Sequence, residues 1–234
     1  MTTIEGNLLG VRTRITQACA RAGRDATDVK LLAVSKTFAP AAVTEALAAG
    51  QHAFGENYIQ EGVEKILSLR ASHPAAALEW HCIGPVQSNK TRLVAGHFDW
   101  VQSVDRLKIA QRLSEQRPVE MPPLQVCLQV NVDGGPTKSG VAPAELPALA
   151  MAVAALPRLT LRGLMCIPEP ADTFEAEQAV FLQAKALFDD LKARGLALDT
   201  LSMGMSDDLD AAVAAGSTMV RVGRAIFGSR APRA

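Results

Sequence analysis

Lys36 closes the mostly apolar run LLAVSK (31–36). An amine placed there has two fates. It can lay its stem along apolar surface and keep its charge in water. Alternatively it is partly desolvated, which lowers a lysine pKa and frees a neutral nucleophile able to form a Schiff base with a carbonyl. A second group lies far along the chain, in LSMGMSDD (201–208) and STMVRVGRAIFG (217–228). Ser202 offers a hydroxyl, while Gly204 and Gly223 permit close backbone approach, so that amides at the following helix starts can point at an anion. Gly223 with Arg224 reads as an anion site, the alternative being that the glycines merely end strands. Asp207 and Asp208 read as helix-start caps. Arg221 interrupts an apolar run, and a buried guanidinium needs a partner, either a structural ion pair or a ligand.

Hydrophobic periodicity supplies the elements that must position these groups. Residues 3–22 repeat apolar side chains at helical spacing, and short apolar runs then alternate with helical stretches. Strands are expected at 29–36, 52–57, 78–84, 98–104, 123–132, 159–167, 198–204 and 217–223. Helices are expected at 40–50, through Glu61, Ile66 and Leu69, near 89–95, and at 105–116, 143–155, 173–193 and 207–216, with a last turn from Arg224. Pro147 either kinks or delays the sixth of these. Eight strand–helix units imply a parallel sheet closed as a (β/α)8 TIM-type barrel, preceded by one extra N-terminal helix. An open doubly wound sheet would carry a glycine-rich loop after its first strand, and AVSKTFAP is not one. With no linker or shift in composition, residues 1–234 read as one domain. In a barrel the chemistry gathers at the C-terminal ends of the strands. Those tips form a polar ring of Lys36, Asn57, His81, Ser103, Asn131 with Lys138, Met165, Ser202, Gly204, Arg221 and Gly223.

The 234 residues suffice for one large core, and 48% hydrophobic with 21% charged residues is an ordinary globular balance. Lys+Arg and Asp+Glu both number 24, so no bulk field attracts nucleic acid or anionic lipid. An aromatic content of 4% gives little to stack bases on. Cys19, Cys82, Cys127 and Cys166 form no close pair, so buried free thiols are expected, with neither a disulfide framework nor a metal site. The first residues lack the apolar core of a signal peptide, and no run of apolar residues is long enough to span a bilayer; a cytoplasmic protein is expected.

A lysine after the first strand and an anion site after the last two match the two ends of pyridoxal 5′-phosphate, with the cofactor lying across the barrel top. At these residues the sequence resembles the YggS/PROSC family of pyridoxal phosphate homeostasis proteins along its full length. The resemblance is carried in order by LLAVSKTFAP (31–40), FGENYIQE (54–61), WHCIGPVQSNK (80–90), VNVDGGPTKSG (130–140), RGLMCIP (162–168), LSMGMSDD (201–208) and AAGSTMVRVGRAIFG (214–228). It implies the barrel found as the N-terminal domain of alanine racemase, with Lys36 bonded to the cofactor and Arg221 at the pyridine nitrogen. Ser202, Gly204, Gly223 and Arg224 would hold the phosphate, and Asn57, His81 and Met165 would line the ring pocket. Two departures stand out. Arg224 replaces the usual Ser or Thr, leaving its backbone amide for the phosphate, and Gly134, Gly135 and Pro136 remove an acidic partner for Lys138.

The implied role is a cofactor carrier or buffer in vitamin B6 and amino-acid homeostasis, with apo forms of pyridoxal-dependent enzymes as recipients and no residue assigned to catalysis. The alternative is a weak pyridoxal-dependent racemase. An arginine at the ring nitrogen disfavours its protonation and so weakens the electron sink without abolishing it, since alanine racemases also use arginine at this place. With Ala234 a few residues after the last strand, no domain bearing a second base is expected, and Tyr58 is the only tyrosine. A monomer is expected.

Overall fold

Each apolar run becomes one strand of a parallel sheet, and the sheet closes on itself. In the computed structural model, which describes residues 3–135 and 139–228, the strands are β1 (Lys30–Val34), β2 (Ala53–Glu56), β3 (Glu79–Cys82), β4 (Trp100–Val104), β5 (Leu124–Gln129), β6 (Leu159–Met165), β7 (Thr200–Ser202) and β8 (Met219–Val222). They hydrogen-bond in sequence order, and β1 pairs with β8 to complete the barrel. The helices are α1 (Ile4–Arg21), α2 (Pro40–Ala48), α3 (Ile59–Ser72), α4 (Thr91–His97), α5 (Leu107–Gln116), α6 (Leu146–Ala154), α7 (Phe174–Ala193), α8 (Leu209–Ala214) and α9 (Arg224–Phe227). The eight expected strands are all present, each shorter than its apolar run because only part of the run joins the ladder. Lys138 lies outside the described residues.

Local chemistry sets the boundaries. Thr3 caps α1 by accepting the amide of Gly6, Thr173 does the same for α7 from Ala176, and Pro40 opens α2 at a position that needs no donor. Pro147 delays α6 rather than kinking it: the helix starts at Leu146, and the proline falls in the first turn. Helix α1 buries Leu8, Val11, Ile15, Ala18 and Cys19 and packs against α8 and α9. It thereby covers the seam where β1 meets β8.

Strand alternation divides the apolar residues between two compartments. Leu31 and Ala33 belong to the large core under the helices, whereas Leu32 and Val34 join Ala53, Ile83 and Met219 inside the barrel. Trp100, Cys127 and Met165 form a further interior group. Between these apolar patches the interior holds His81, Gln102, Ser202 and Arg221, all buried. Branched aliphatic side chains are the usual filling of such a barrel. A buried polar column here demands partners for every member. All four cysteines are free and buried, and among the described residues no helix is long and apolar enough to cross a membrane.

Candidate functional site

At the C-terminal ends of the strands lies a cavity of about 190 Å³. Its walls bring together five of the residues singled out by sequence: Lys36, Asn57, Arg221, Gly223 and Arg224. Val34, Ile83 and Ile167 supply apolar wall, and Met205, Ser206 and Asp207 complete the lining. Clefts of about 280 and 350 Å³ also flank α1. Their guanidiniums are already engaged, Arg14 by Asp210 and Ser206 O and Arg12 by the carbonyls of Ala49 and Gly50.

Lys36 is half-buried and sits in a turn that a buried ion pair holds down. Behind it, Lys65 Nζ on α3 donates to Glu56 Oε1 at 2.6 Å and to the carbonyl of Ser35 at 2.9 Å. The Ser35 hydroxyl donates to the same Glu56 oxygen at 2.6 Å. Glu61, one turn earlier on α3, accepts the amide of Thr37. Both residues beside Lys36 are therefore tied to α3. Thr37 adopts φ 70°, a left-handed conformation that a β-branched residue tolerates only where neighbours enforce it. Burial pushes the Glu56 carboxyl up, against the opposing charge of Lys65.

Arg221 reaches the cavity from β8 yet is only 4% exposed. It donates to Ser202 Oγ at 2.9 Å and to the carbonyl of Cys166 at 3.0 Å. Among the described residues no carboxylate pairs with it. Burial pushes the guanidinium down. This is a buried cation with donors to spare facing a cavity. Asn57 contributes the complementary group, a buried Oδ1 without a donor. Its main chain is fixed by Gly84, where a Cβ would stand 2.1 Å from the Asn57 carbonyl oxygen.

The remaining predicted residues lie behind the cavity rather than on its lining. Met165 packs with Trp100 and Cys127 against Ile167. Ser202 is the hydroxyl under Arg221. Gly204, at φ 93°, lets α8 approach so closely that a Cβ would meet that of Ala212 at 2.4 Å, and its carbonyl accepts the Arg221 amide. His81 is wholly buried, stacked on Trp100 at 5.0 Å and bonded to Gln102 and Glu79. Arg224 points outward, 74% exposed and 3.9 Å from Asp207, while among the described residues its amide and that of Ala225 have no backbone acceptor at the start of α9. Asp208 stands at the N-cap of α8, but its side chain makes no capping bond to the helix; it accepts instead the amide of Met205, ahead of the helix.

Residues 10–231 match the family described as alanine racemase, N-terminal domain. A curated relative from Pseudomonas aeruginosa, named pyridoxal phosphate homeostasis protein, is 60% identical and covers 98% of this chain and 97% of its own. The chain belongs to the pyridoxal phosphate homeostasis protein family. The Escherichia coli K12 relative of the same name is 54% identical to this family member, with 98% of each chain covered. Solved structures of PipY from Synechococcus elongatus, one of them with PLP bound, superpose with a TM-score of 0.83 at 37–39% identity, covering 97% of this family member and all of PipY. Alanine racemase from Corynebacterium glutamicum shares the fold at 19% identity (TM-score 0.66), with 94% of this chain matched to 60% of the racemase.

Sequence reading missed three contributors. Lys65, the partner of Glu56, was hidden because a lysine on a helix is ordinarily solvated. Ser206 occupies a loop with no periodicity. Gln102 was legible in principle: it lies two residues after Trp100, on the same face of an otherwise apolar strand.

Proposed function

We propose that this chain binds pyridoxal 5′-phosphate at the barrel mouth and acts as an intracellular carrier or buffer of that cofactor, without strong catalytic turnover. The observation that carries the reading is the convergence on one small cavity of a half-buried lysine, a buried arginine without a carboxylate partner, and open amides at the start of α9. The groups present fit the two ends and the ring of the cofactor, and a relative 37% identical is known with PLP bound. When bound, the cofactor supplies an aldehyde carbon that condenses reversibly with amines and a ring that accepts electron density.

The chain's own residues divide the remaining work. Lys36 Nζ is the amine that holds the aldehyde carbon, in a turn braced by α3. Arg221 donates toward the ring nitrogen and, having no acceptor, keeps a proton off it. The amides of Arg224 and Ala225 receive the phosphate, and the exposed Arg224 side chain adds positive charge at the rim. Asn57 Oδ1 accepts from the ligand. An arginine at the ring nitrogen weakens the electron sink without abolishing it, a feature shared with alanine racemases, so the carrier reading rests on the family's homeostasis role, and slow one-base exchange is the alternative to test. Four buried free thiols suit a reducing compartment, in line with a cytoplasmic protein. The proposal takes it as a monomer that hands its cofactor to apo-enzymes.

Addition of pyridoxal 5′-phosphate is expected to produce a visible absorbance band at one equivalent, and borohydride followed by peptide mass mapping to place the adduct on Lys36. Lys36→Ala should abolish the adduct. An adduct spread over surface lysines, or none, overturns the assignment. An apo-enzyme that gains cofactor from the loaded protein no faster than from the free pool overturns the delivery role.

A further inference from the structure

Arg221 is the mouth-facing end of a hydrogen-bonded column that runs down the barrel axis. From the mouth, Arg221 Nη1 donates to Ser202 Oγ at 2.9 Å, and the Ser202 hydroxyl donates to Gln102 Oε1 at 2.7 Å. Gln102 Nε2 then donates to His81 Nδ1 at 2.9 Å, and His81 Nε2 donates to Glu79 Oε1 at 2.5 Å. Glu79, at the first residue of β3, also accepts from Lys30 at the first residue of β1. Every donor points the same way, from the cation at the mouth to the carboxylate at the opposite end.

Both ends dictate that polarity independently. A guanidinium can only donate, so the Ser202 oxygen accepts from it and its proton must find Gln102 Oε1. A carboxylate can only accept, so Nε2 of a neutral His81 carries the proton and Nδ1 needs the Gln102 amino group. The two requirements meet at Gln102 and agree. The sulfur of Met219, 3.1 Å from Gln102 Nε2, also suits a donor there. The register between β4 and β5 slips by one residue between Val101 and Val104, so β4 carries an extra residue at the level of Gln102 and Ser103. Such bulges re-aim a side chain beside a functional site. The charged groups facing His81 are Glu79 on its own strand, Lys30 from β1 and Asp99 ahead of β4, and its ring lies on Trp100. Burial holds the imidazole below its usual range, in keeping with a neutral ring.

We infer that Gln102 and His81 are positioning residues that hold Arg221 in one hydrogen-bonding polarity at the mouth, and that occupation of the mouth is coupled to the imidazole of His81 within the barrel. The inference rests on the proposed cofactor reading, because the ligand's ring nitrogen is what Arg221 would address. Neither residue lines the cavity, so each acts only through Ser202 and Arg221. Protonating His81 would set two donors against each other at Gln102. Relief requires the amide to turn over, which in turn takes from the Ser202 proton its acceptor.

The test uses the full chain with ¹⁵N-labelled histidine, observed with and without pyridoxal 5′-phosphate, together with Gln102→Leu and His81→Phe. The ligand-free protein should show His81 as the Nε2–H tautomer with Nδ1 accepting. Loading should shift the His81 Nδ1 resonance while His52, His73 and His97 stay in place. Gln102→Leu and His81→Phe, the latter keeping the stack on Trp100, should each weaken cofactor binding about tenfold and move the absorbance maximum of the complex. A proton on Nδ1 in the ligand-free protein overturns the column whether or not the cofactor binds, and whether or not either variant folds. If the wild-type protein binds the cofactor on Lys36 but His81 does not respond and both variants bind within twofold with an unchanged spectrum, the column is overturned and the cofactor reading stands. If the wild-type protein neither binds nor reacts, the cofactor reading falls and takes the coupling with it.

Discussion

Lys65→Met isolates what the buried ion pair contributes to the turn bearing Lys36. Lys65 is 3% exposed and Glu56 is fully buried, so neither charge is stabilised by water. Removing the ammonium leaves Glu56 with only the Ser35 hydroxyl as donor, since its Oε2 already has none. Breaking one partner of such a pair costs about 3–5 kcal/mol. For a chain of this size that is roughly 6–20 °C in Tm. Glu56→Leu combined with Lys65→Met removes the stranded charge and should recover most of the loss. The pH dependence has a definite sign. Burial raises the Glu56 pKa in the folded state, so the native protein binds more protons there than the unfolded chain, and stability falls as pH rises through the folded value. Without Lys65 to oppose that shift, the deficit should be smaller at pH 5.5 than at pH 7.5. Urea unfolding at both pH values reads this directly. A loss below about 1 kcal/mol at pH 7.5, a double variant no better than the single one, or a deficit that grows on acidification would refute the reasoning.

Two further substitutions or probes follow from close contacts and burial. Gly84→Ala places a methyl 2.1 Å from the Asn57 carbonyl oxygen, so the backbone at Asn57 must move. A destabilisation of about 1–3 kcal/mol, with weakened cofactor binding, is expected by denaturation and absorbance titration, and an unchanged titration would count against Asn57 as a wall residue. Burial pushes the thiols of Cys82, Cys127 and Cys166 up to about 12 and raises that of Cys19 as well. An aromatic disulfide reagent at pH 8 should therefore label the native chain slowly and all four thiols at once in denaturant; rapid labelling of the native chain would contradict it.

The barrel was legible because eight apolar runs alternate with helical stretches, and strand burial on both faces leaves just such runs. Lys36, Asn57, Arg221 and Gly223 stood out as polar or small residues at strand ends, which is where the cavity lies. His81 and Ser202 were equally visible but lie deeper, because a run buried on both faces does not reveal how far each tip stands above the ladder. The brace under Lys36 was out of reach for another reason. It joins residues 35, 56, 61 and 65 across two strands and a helix, and their proximity exists only once β1 and β2 pair. Arg221 left its alternatives open in sequence. The structure pairs it with a hydroxyl and a carbonyl instead of a carboxylate.

The seam between β1 and β8 has a consequence for synthesis. Leu32 pairs with Arg221 and Ala33 with Val222, so Lys36 and the Gly223–Arg224 cradle come from opposite ends of the chain and meet only across this last junction. A nascent chain that has not yet released β8 possesses the amine but neither the arginine nor the amides. On the proposed assignment, cofactor capture is reserved for a finished barrel, and the ligand would span the closure like a clasp. By mass action it stabilises the closed over the open form, in proportion to the logarithm of its free concentration. The stability of the closed barrel would then rise with the supply of the ligand.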